Sequence, residues 1–337
     1  MREPLKILVV APSWIGDTIM MQPLLTRLHL QHPGLALDVL APAWCAPLLS
    51  RMPEVRCIVE NPFAHGEFNW MARRALGRRL AETDYHSAYV LPNSWKSALA
   101  PFFAGIPRRI GHTGESRFVL LNDRRTLDKA ALPRLVDRYC ALAGSPDGET
   151  PQPRLTSTPE QQRAARLALG LPVDAEPIVF CPGAEYGPAK RWPAHHYAEL
   201  ARRIAAADSP VWLIGSPKDA TICEEIGWLA GPAVTNLCGR TTLDQAIDLL
   251  AGARQVVCND SGLMHVAAAL DRPLVALFGS SSHNYTPPLS SHASRSGILS
   301  LNLECSPCFQ RDCPKGHPKC LEDLLPERVL AALNELT

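Results

Sequence analysis

Three short stretches of this sequence place glycine and a charged side chain directly after an apolar run. The first is Ser-Trp-Ile-Gly-Asp at residues 13–17, which follows the apolar residues 7–11. The carboxylate of Asp17 could act as a general base that accepts the proton of an attacking hydroxyl group. Aspartate is also a common cap at a helix N-terminus, and the local sequence fits both interpretations equally well.

The second stretch runs from Cys181 to Pro193 and contains two glycines, followed by the adjacent cations Lys190 and Arg191. A glycine-containing loop between a strand and a helix can bring backbone N–H groups to phosphate oxygens, and a lysine ammonium can reach the same oxygens. The alternative is a structural turn whose charges are simply solvated.

The third stretch is Asn-Asp-Ser-Gly-Leu-Met-His at residues 259–265. Ser261 and Gly262 lie where free backbone amides and the helix dipole favour an anion, and Asp260 could accept hydrogen bonds from sugar hydroxyls. A capping box is excluded because methionine, rather than Glu or Gln, follows three residues after Ser261. His265 could form a hydrogen bond with a phosphate, but taken alone it is more simply explained by a hydrogen bond to the backbone.

Each stretch needs a strand before it and a helix after it to hold its side chains in place. Short, continuous apolar runs are typical of strands covered on both faces. They predict strands at Lys6–Ala11, Leu37–Leu40, Val55–Val59, Ala88–Leu91, Ile178–Cys181, Val211–Ile214, Gln255–Asn259 and Leu274–Phe278. Helices are predicted near Pro159–Leu169, His195–Ala207, Leu243–Ala251 and Leu263–Leu270. The alternation predicts an α/β protein of two Rossmann-like, doubly wound domains that face each other across a central cleft, with ligands at the carboxyl ends of the strands.

The domain boundary is expected in residues 144–159, which are rich in Pro, Ser and Thr and lack periodicity. A length of 337 residues suits two domains of roughly 150 residues each. We therefore expect domains at residues 1–155 and 156–325. A C-terminal helix at 326–337 is expected to pack back on the first domain.

Composition limits the classes of partner. The net charge of +1 argues against a general nucleic-acid binder, although residues 1–150 carry 18 Lys and Arg against 14 Asp and Glu. The N-terminal apolar run is far shorter than the ~18 residues of a membrane span, so a cytoplasmic protein is expected. Seven of the eleven cysteines are scattered in apolar settings, which is typical of small buried side chains in a reducing compartment.

Taken together, these stretches resemble the motifs of the heptosyltransferase family, glycosyltransferase family 9, whose members build the inner core of lipopolysaccharide. The resemblance rests on residues 13–17, 182–193 and 259–265, and also on Leu91–Leu99 and Leu120–Arg124. It extends from about residue 6 to 333. It implies the GT-B fold, with the sugar acceptor on the N-terminal domain and ADP-heptose on the C-terminal domain.

The resemblance also implies roles for individual residues. Asp17 would be the general base that activates a hydroxyl of the first heptose on Kdo-lipid A, for an inverting transfer of L-glycero-D-manno-heptose. Lys190 would balance the charge that builds on the departing diphosphate. The implied donor-binding residues are Gly183, Ala184, Lys190, Ser216, Asp260, Ser261, Gly262 and His265, and the implied acceptor-binding residues are Asn93, Ser94 and Lys96. No cofactor is expected to be required.

Two segments stand apart from this chemistry. Residues 61–79 combine three aromatic side chains with four arginines, which could contact phosphorylated lipid at the inner-membrane surface or form an exposed surface helix. Near the C-terminus, four thiols could form a tetrahedral zinc site, although the second pair lacks C-x-x-C spacing, and reduced thiols or a disulfide are the alternative. These thiols belong to Cys305, Cys308, Cys313 and Cys320.

Three other functions fit parts of the pattern. One is a related glycosyltransferase with a different sugar acceptor. Another is a non-catalytic, two-lobed ligand-binding protein, which would not need a carboxylate at the position of Asp17. The third is a zinc-dependent interaction module formed by the C-terminal cysteines.

Overall fold

The computed structural model describes residues 4–64, 66–144, 149–292 and 295–336. The chain divides into two compact units, Met1–Pro153 and Arg154–Thr337. This division falls within the stretch expected to be a linker, of which residues 145–148 lie outside the described residues.

The first unit contains one parallel sheet, which has six strands among the described residues, in the order β3-β2-β1-β4-β5-β6. The strands are β1 (Lys6–Val10), β2 (Ala36–Ala41), β3 (Cys57–Glu60), β4 (Ser87–Val90), β5 (Arg108–His112) and β6 (Asp123–Arg125). The helices are α1 (Ile15–Met20), α2 (Gln22–Gln31), α3 (Ala46–Leu49), α4 (Trp70–Ala81), α5 (Leu99–Phe103) and α6 (Leu135–Cys140).

The central strand β1 shows why the apolar runs form a parallel sheet. Val9 lies opposite Val39 of β2 and Tyr89 of β4, so β1 is hydrogen-bonded on both edges. Leu8 and Val9 are both fully buried, because helices cover the two faces of the sheet. Successive side chains point to opposite faces, and only a continuous apolar strand can bury both sets.

The second unit repeats this winding, with a parallel sheet of six strands among the described residues in the order β12-β11-β10-β7-β8-β9. The strands are β7 (Ile178–Cys181), β8 (Val211–Leu213), β9 (Val234–Asn236), β10 (Gln255–Asn259), β11 (Leu274–Leu277) and β12 (Ser296–Leu299). The helices are α7 (Pro159–Ala168), α8 (Ala194–Ala205), α9 (Ala220–Ala230), α10 (Leu243–Ala251), α11 (Gly262–Ala269), α12 (Lys319–Glu322) and α13 (Pro326–Glu335).

Both sheets have the same topological switch point. In each unit the first and fourth strands in chain order are neighbours, and the winding reverses between them. These strands are β1 and β4 in the first unit and β7 and β10 in the second. At such a point the loops after the two strands diverge and leave a crevice at the carboxyl edge, where open α/β sheets bind ligands.

The C-terminal helix α13 packs against α8, β11 and β12 of the second unit. The expectation that it also packs on the first domain stays a prediction. Val329 and Leu333, four residues apart on one helix face, are buried in the second unit's core with Leu200 and Val275. The apolar face of α13 is therefore buried within its own unit.

The scattered cysteines differ in part from the expectation. Cys45, Cys140, Cys181 and Cys258 are buried free thiols, as the apolar surroundings predicted, whereas Cys57 is exposed. Cys223 of α9 and Cys238, which follows β9, form a disulfide. Their assignment as isolated small hydrophobic side chains was therefore wrong. Over the described part of the chain, no helix has the length and apolar character needed to cross a membrane.

Candidate active site

The fold brings the predicted site residues to the two switch points. In the first unit, Asp17 follows β1 and the stretch 91–99 follows β4. In the second unit, the loop carrying Lys190 follows β7, and Asp260 follows β10. Each predicted cluster therefore lies at the carboxyl edge of its sheet, on the two strands between which the winding reverses.

Asp17 lies in the first turn of α1. Trp14 occupies the N-cap position with an extended backbone, so Asp17 is the third helical residue and not the N-cap. A negative charge in the first turn complements the helix dipole. The side chain is half-buried, which leaves part of it open to a reactant. The general-base role stays a prediction.

Hydrogen bonds hold the loop before Asp17 in place. The Thr18 hydroxyl donates to the carbonyl of Trp14 at 2.9 Å, and the indole of Trp44 donates to the carbonyl of Ser13 at 3.0 Å. Gly16 is buried within this turn. The position of Asp17 is thus set by contacts from β2's loop as well as by its own helix.

The stretch after β4, predicted to bind the acceptor, is organised by a buried arginine that sequence reasoning missed. Arg117 donates to the carbonyl of Pro92 at 2.8 Å, to Asn93 Oδ1 at 3.1 Å and to the carbonyl of His112. Burial lowers the pKa of this guanidinium. The Asn93 side chain is therefore held in place by Arg117, with its amide nitrogen left to other partners.

Ser94 and Lys96 belong to the same turn. The Ser94 carbonyl accepts a hydrogen bond from the Ser97 hydroxyl at 2.5 Å, and the backbone amide of Trp95 donates to Glu115 at 2.9 Å. The Lys96 carbonyl accepts a hydrogen bond from the Arg73 guanidinium at 3.1 Å. Contact of these residues with an acceptor stays a prediction.

Residues 61–79, of which His65 lies outside the described residues, form a loop followed by α4. Arg73 is buried, and its guanidinium lies 3.9 Å from the ring centre of Phe63. The expectation that all four arginines could contact lipid is thus wrong for Arg73, because its donors serve the carbonyls of Glu67 and Lys96. The remaining arginines, Arg74, Arg78 and Arg79, are exposed.

Aromatic side chains of residues 61–79 pack against the turn after β4 that carries Trp95. The ring of Phe68 lies 4.9 Å from that of Trp95, between centroids, and Trp70 lies 4.9 Å from Phe103. Phe68, Trp70 and Trp95 all remain 37–51% exposed. A partly exposed aromatic cluster therefore adjoins Lys96.

In the second unit, one buried amide fixes both ends of the loop that carries Lys190. Asn259, the last residue of β10, donates from Nδ2 to the carbonyl of Pro182 at 2.7 Å. Its Oδ1 accepts from the backbone amide of Trp192 at 3.1 Å and from the Tyr197 hydroxyl at 3.0 Å. Asn259 is fully buried, so these bonds are made without competition from water.

Lys190 and Asp260 meet across the two loops. The Lys190 ammonium lies 2.5 Å from Asp260 Oδ2, and the Ser281 hydroxyl donates to the same oxygen. Asp260 and Ser281 are both buried. The arrangement places one cation, half-buried, beside the carboxylate predicted to bind sugar hydroxyls.

Gly183 is required by close packing. A side chain at this position would overlap the carboxylate of Asp219, which is buried beside the loop. Ser216 donates to Asp219 Oδ2 from its backbone amide at 2.9 Å and from its hydroxyl at 2.7 Å. Ser216 is thus linked to the Gly183 loop through Asp219, and its contact with a donor stays a prediction. Ala184 is buried next to Gly183.

The N-terminus of α11 offers free backbone amides beside this pair. Ser261 is the N-cap, but its side chain caps no helical amide and instead lies 3.3 Å from the Cys258 sulfur. Gly262 is the first helical residue. Burial lowers the pKa of His265 to about 4, with Asp260 acting to raise it and Lys190 to lower it. His265 is therefore neutral at pH 7 and can donate or accept one hydrogen bond without adding charge.

In the part of the chain that the structure describes, the four C-terminal cysteines do not form a group with three ligand atoms within 4.8 Å of one another. Among the described residues, the group of His, Cys, Asp or Glu side chains with three ligand atoms within 4.8 Å of one another is His195, His196 and Glu322. The four cysteines are free and half-buried. Burial raises the pKa of Cys320, and the neighbouring thiols Cys305, Cys313 and Cys308 raise it further. Zinc at this cluster stays a prediction.

The chain is similar to known proteins over nearly its whole length. Residues 73–319 match the model of glycosyltransferase family 9 (heptosyltransferase). The chain is 47% identical to lipopolysaccharide heptosyltransferase 2 of Escherichia coli K12, covering 98% of both chains. It is 45% identical to lipooligosaccharide heptosyltransferase 2 of Haemophilus influenzae, covering 98% of this chain and 99% of that protein. The solved structure of E. coli ADP-heptose LPS heptosyltransferase II superposes with a TM-score of 0.86 at 46% identity over 98% of both chains. The predicted α/β, GT-B fold class is thereby confirmed.

Proposed function

Because this chain belongs to glycosyltransferase family 9, the heptosyltransferases, we propose that it transfers heptose from ADP-heptose to the first heptose of heptosyl-Kdo-lipid A. The observation that carries the donor assignment is the Lys190–Asp260 pair at the N-terminus of α11. A cation, free helix amides and a buried carboxylate occupy one short segment of the second sheet's edge. They match the two parts of a nucleotide-sugar, a diphosphate and a polyhydroxyl sugar.

The donor would bind through complementary contacts. The diphosphate would accept hydrogen bonds from the free amides at Ser261 and Gly262 and from the Lys190 ammonium. Asp260 can accept hydrogen bonds from heptose hydroxyls, because Ser281 continues to satisfy one of its lone pairs when Lys190 moves to the phosphate. Neutral His265 would add a hydrogen bond without opposing the phosphate charge.

The transfer would proceed by direct displacement. Asp17 takes the proton of the acceptor hydroxyl while the hydroxyl oxygen attacks the anomeric carbon of the donor. The bond from that carbon to the diphosphate oxygen breaks, the configuration inverts, and ADP leaves. Lys190 stabilises the negative charge that grows on the leaving phosphate oxygen.

On the acceptor side, Asn93, Ser94 and Lys96 would contact the inner-core saccharide, and the neighbouring aromatic cluster would meet the lipid-linked end. Exposed Trp70, Arg74 and Arg78 are spaced four residues apart on α4 and so share one helix face, which offers apolar and cationic groups together. Such a combination suits the interface of an anionic membrane. We therefore propose a cytoplasmic enzyme that contacts the inner membrane peripherally at this surface.

The test is incubation of the purified protein with ADP-heptose and heptosyl-Kdo-lipid A, with the product read by mass spectrometry. We expect one added heptose and release of ADP. Kdo-lipid A without heptose tests a different acceptor, and ADP-mannose tests a different donor. Transfer to Kdo-lipid A alone would move the proposal to another acceptor, and donor binding without transfer to either would favour a ligand-binding protein.

No cofactor is proposed beyond the donor substrate. The same assay after treatment with a chelator, together with elemental analysis of the protein, tests this point. Activity that is lost with the chelator and restored by zinc would contradict the absence of a cofactor.

A further inference from the structure

The cysteine-bearing tail comprises residues 305–320, and its first part, residues 305–311, lies along the loop that carries Lys190. The Tyr186 hydroxyl donates to the carbonyl of Phe309 at 2.7 Å, and the backbone amide of Ala189 donates to the carbonyl of Arg311 at 3.0 Å. Gly187 lies so close that a Cβ there would be 2.5 Å from the Arg311 carbonyl oxygen. The middle of the donor loop thus follows the backbone of residues 309–311.

The same tail is attached to the end of β11, independently of the donor loop. The backbone amide of Phe309 donates to the carbonyl of Ser280 at 2.7 Å, and the Ser306 hydroxyl donates to the carbonyl of Gly279. A Cβ at Gly279 would lie 3.1 Å from the Cys320 sulfur. Residues 305–311 therefore connect the sheet edge near Ser281 to the loop near Lys190.

Tyr186 is the side chain that joins this tail to the predicted catalytic cation. The Lys190 ammonium lies 5.1 Å from the centre of the Tyr186 ring, and the Arg311 guanidinium lies at the same distance from it. Both distances fall within the range of about 6 Å over which an aromatic face attracts a cation. The hydroxyl bond to Phe309 fixes the ring that makes these contacts.

We propose that Tyr186 is a positioning residue for Lys190, and that the tail segment 305–311 sets the position of Tyr186. Unlike a hydrogen bond, the attraction between the Tyr186 ring and the Lys190 ammonium does not depend on one donor direction. It therefore persists when Lys190 leaves Asp260 and binds a donor phosphate. The tail thereby limits the space that Lys190 can sample and lowers the ordering cost of donor binding. This inference rests on the proposed function, in which Lys190 binds the diphosphate.

The first test compares Tyr186→Phe and Tyr186→Leu with the wild type. ADP affinity is measured by calorimetry, donor KM and kcat by product formation, and folding by thermal unfolding. Loss of the hydroxyl bond in Tyr186→Phe should weaken ADP binding by about 3- to 10-fold. Tyr186→Leu, which also removes the aromatic face, should weaken it further. Equal ADP affinity in all three proteins would overturn the inference.

A glycine pair gives a matched control. Gly187→Ala should weaken ADP binding, because the added methyl group pushes the loop away from the Arg311 carbonyl. Gly227→Ala, in α9 of the same unit, adds its methyl group where nothing lies within 4 Å and should leave ADP binding unchanged. A loss of ADP affinity of equal size in both variants would show that the effect is not specific to the donor loop.

The decisive measurement is a double-mutant cycle between Tyr186→Phe and Lys190→Ala. If Tyr186 acts through Lys190, its substitution should change ADP affinity less than about twofold once Lys190 is absent. Additive losses would overturn the positioning role, even if each variant alone binds weakly. Wild-type protein that binds neither ADP nor ADP-heptose would refute the proposed function itself, whereas normal wild-type binding with full additivity refutes only the role of Tyr186.

Discussion

Lys190 and Asp260, 70 residues apart in the chain, form an ion pair of 2.5 Å at the edge of the second sheet. The pair exists because β7 and β10 are neighbours at the switch point, so the loops that follow them meet. Without a ligand, each charge neutralises the other in a half-buried setting. A diphosphate that takes Lys190 away from Asp260 would leave the carboxylate free for sugar hydroxyls, which couples recognition of the two halves of the donor.

Substitution of Asp17 by Asn should abolish turnover while donor binding persists. The amide keeps the size of the side chain but cannot accept the hydroxyl proton, and general-base catalysis is typically worth on the order of 10²–10⁴ in rate. Single-turnover transfer and ADP calorimetry measure the two effects separately. Asp128→Asn, in an exposed turn where the side-chain oxygen accepts backbone amides, is the control and should keep normal activity. Near-normal turnover in Asp17→Asn would remove Asp17 from the mechanism.

Substitution of Lys190 by Ala should both weaken ADP-heptose binding and slow transfer. The variant leaves the phosphate charge without a cation, and a lost electrostatic contact of this kind costs about 10²–10³ in rate. It also leaves Asp260 buried without its ion pair, so donor binding and thermal unfolding are measured together. The exposed Lys129 of the first unit supplies the matched Lys129→Ala control. Unchanged donor KM and kcat would place Lys190 outside the site.

Substitution of Asn259 by Asp should weaken donor binding more than acceptor binding. Aspartate keeps the acceptor for Trp192 and Tyr197 but replaces the donor that serves the Pro182 carbonyl, at a buried position. An unsatisfied buried group typically costs about 1–3 kcal/mol. Asn236→Asp is the control, because the side-chain bond of Asn236 uses its oxygen, which aspartate retains. Equal increases in the KM for donor and the KM for acceptor would indicate a general folding defect.

His265 should make the stability of the folded protein sensitive to mild acid. Burial lowers its pKa to about 4 in the folded protein, whereas the same side chain in the unfolded chain accepts a proton near its ordinary pKa of 6.5. This contribution to the free energy of unfolding is complete above pH 6.5 and is lost progressively as the pH falls from 6.5 to 4, by about 3 kcal/mol. When denaturant unfolding is measured between pH 7 and 4, the free energy of unfolding should decrease less in His265→Gln than in the wild type. Parallel decreases would contradict the burial of a neutral imidazole.

Apolar runs alone determined the central strands of both sheets. The bounds predicted for β7, β10 and α10 are those observed, because a strand or helix buried on its apolar positions has little freedom in where it begins and ends. The motifs that follow these strands also predicted the family, and the fold class followed from the alternation of elements. The strands β5, β6, β9 and β12 were missed. They are short or polar, as in Arg-Arg-Ile-Gly-His of β5, and become strands because a neighbouring strand supplies hydrogen-bonding partners.

Tertiary structure alone decided which side chains support the site. Asn259 pairs with Pro182 and Trp192, Ser281 with Asp260, and Tyr186 with Phe309, at separations of 21 to 123 residues. Sequence periodicity describes neighbours within one helix or strand, whereas these contacts join loops at the ends of different strands. The order in which parallel strands assemble brings those loops together, and that order depends on packing across the whole sheet rather than on any local pattern.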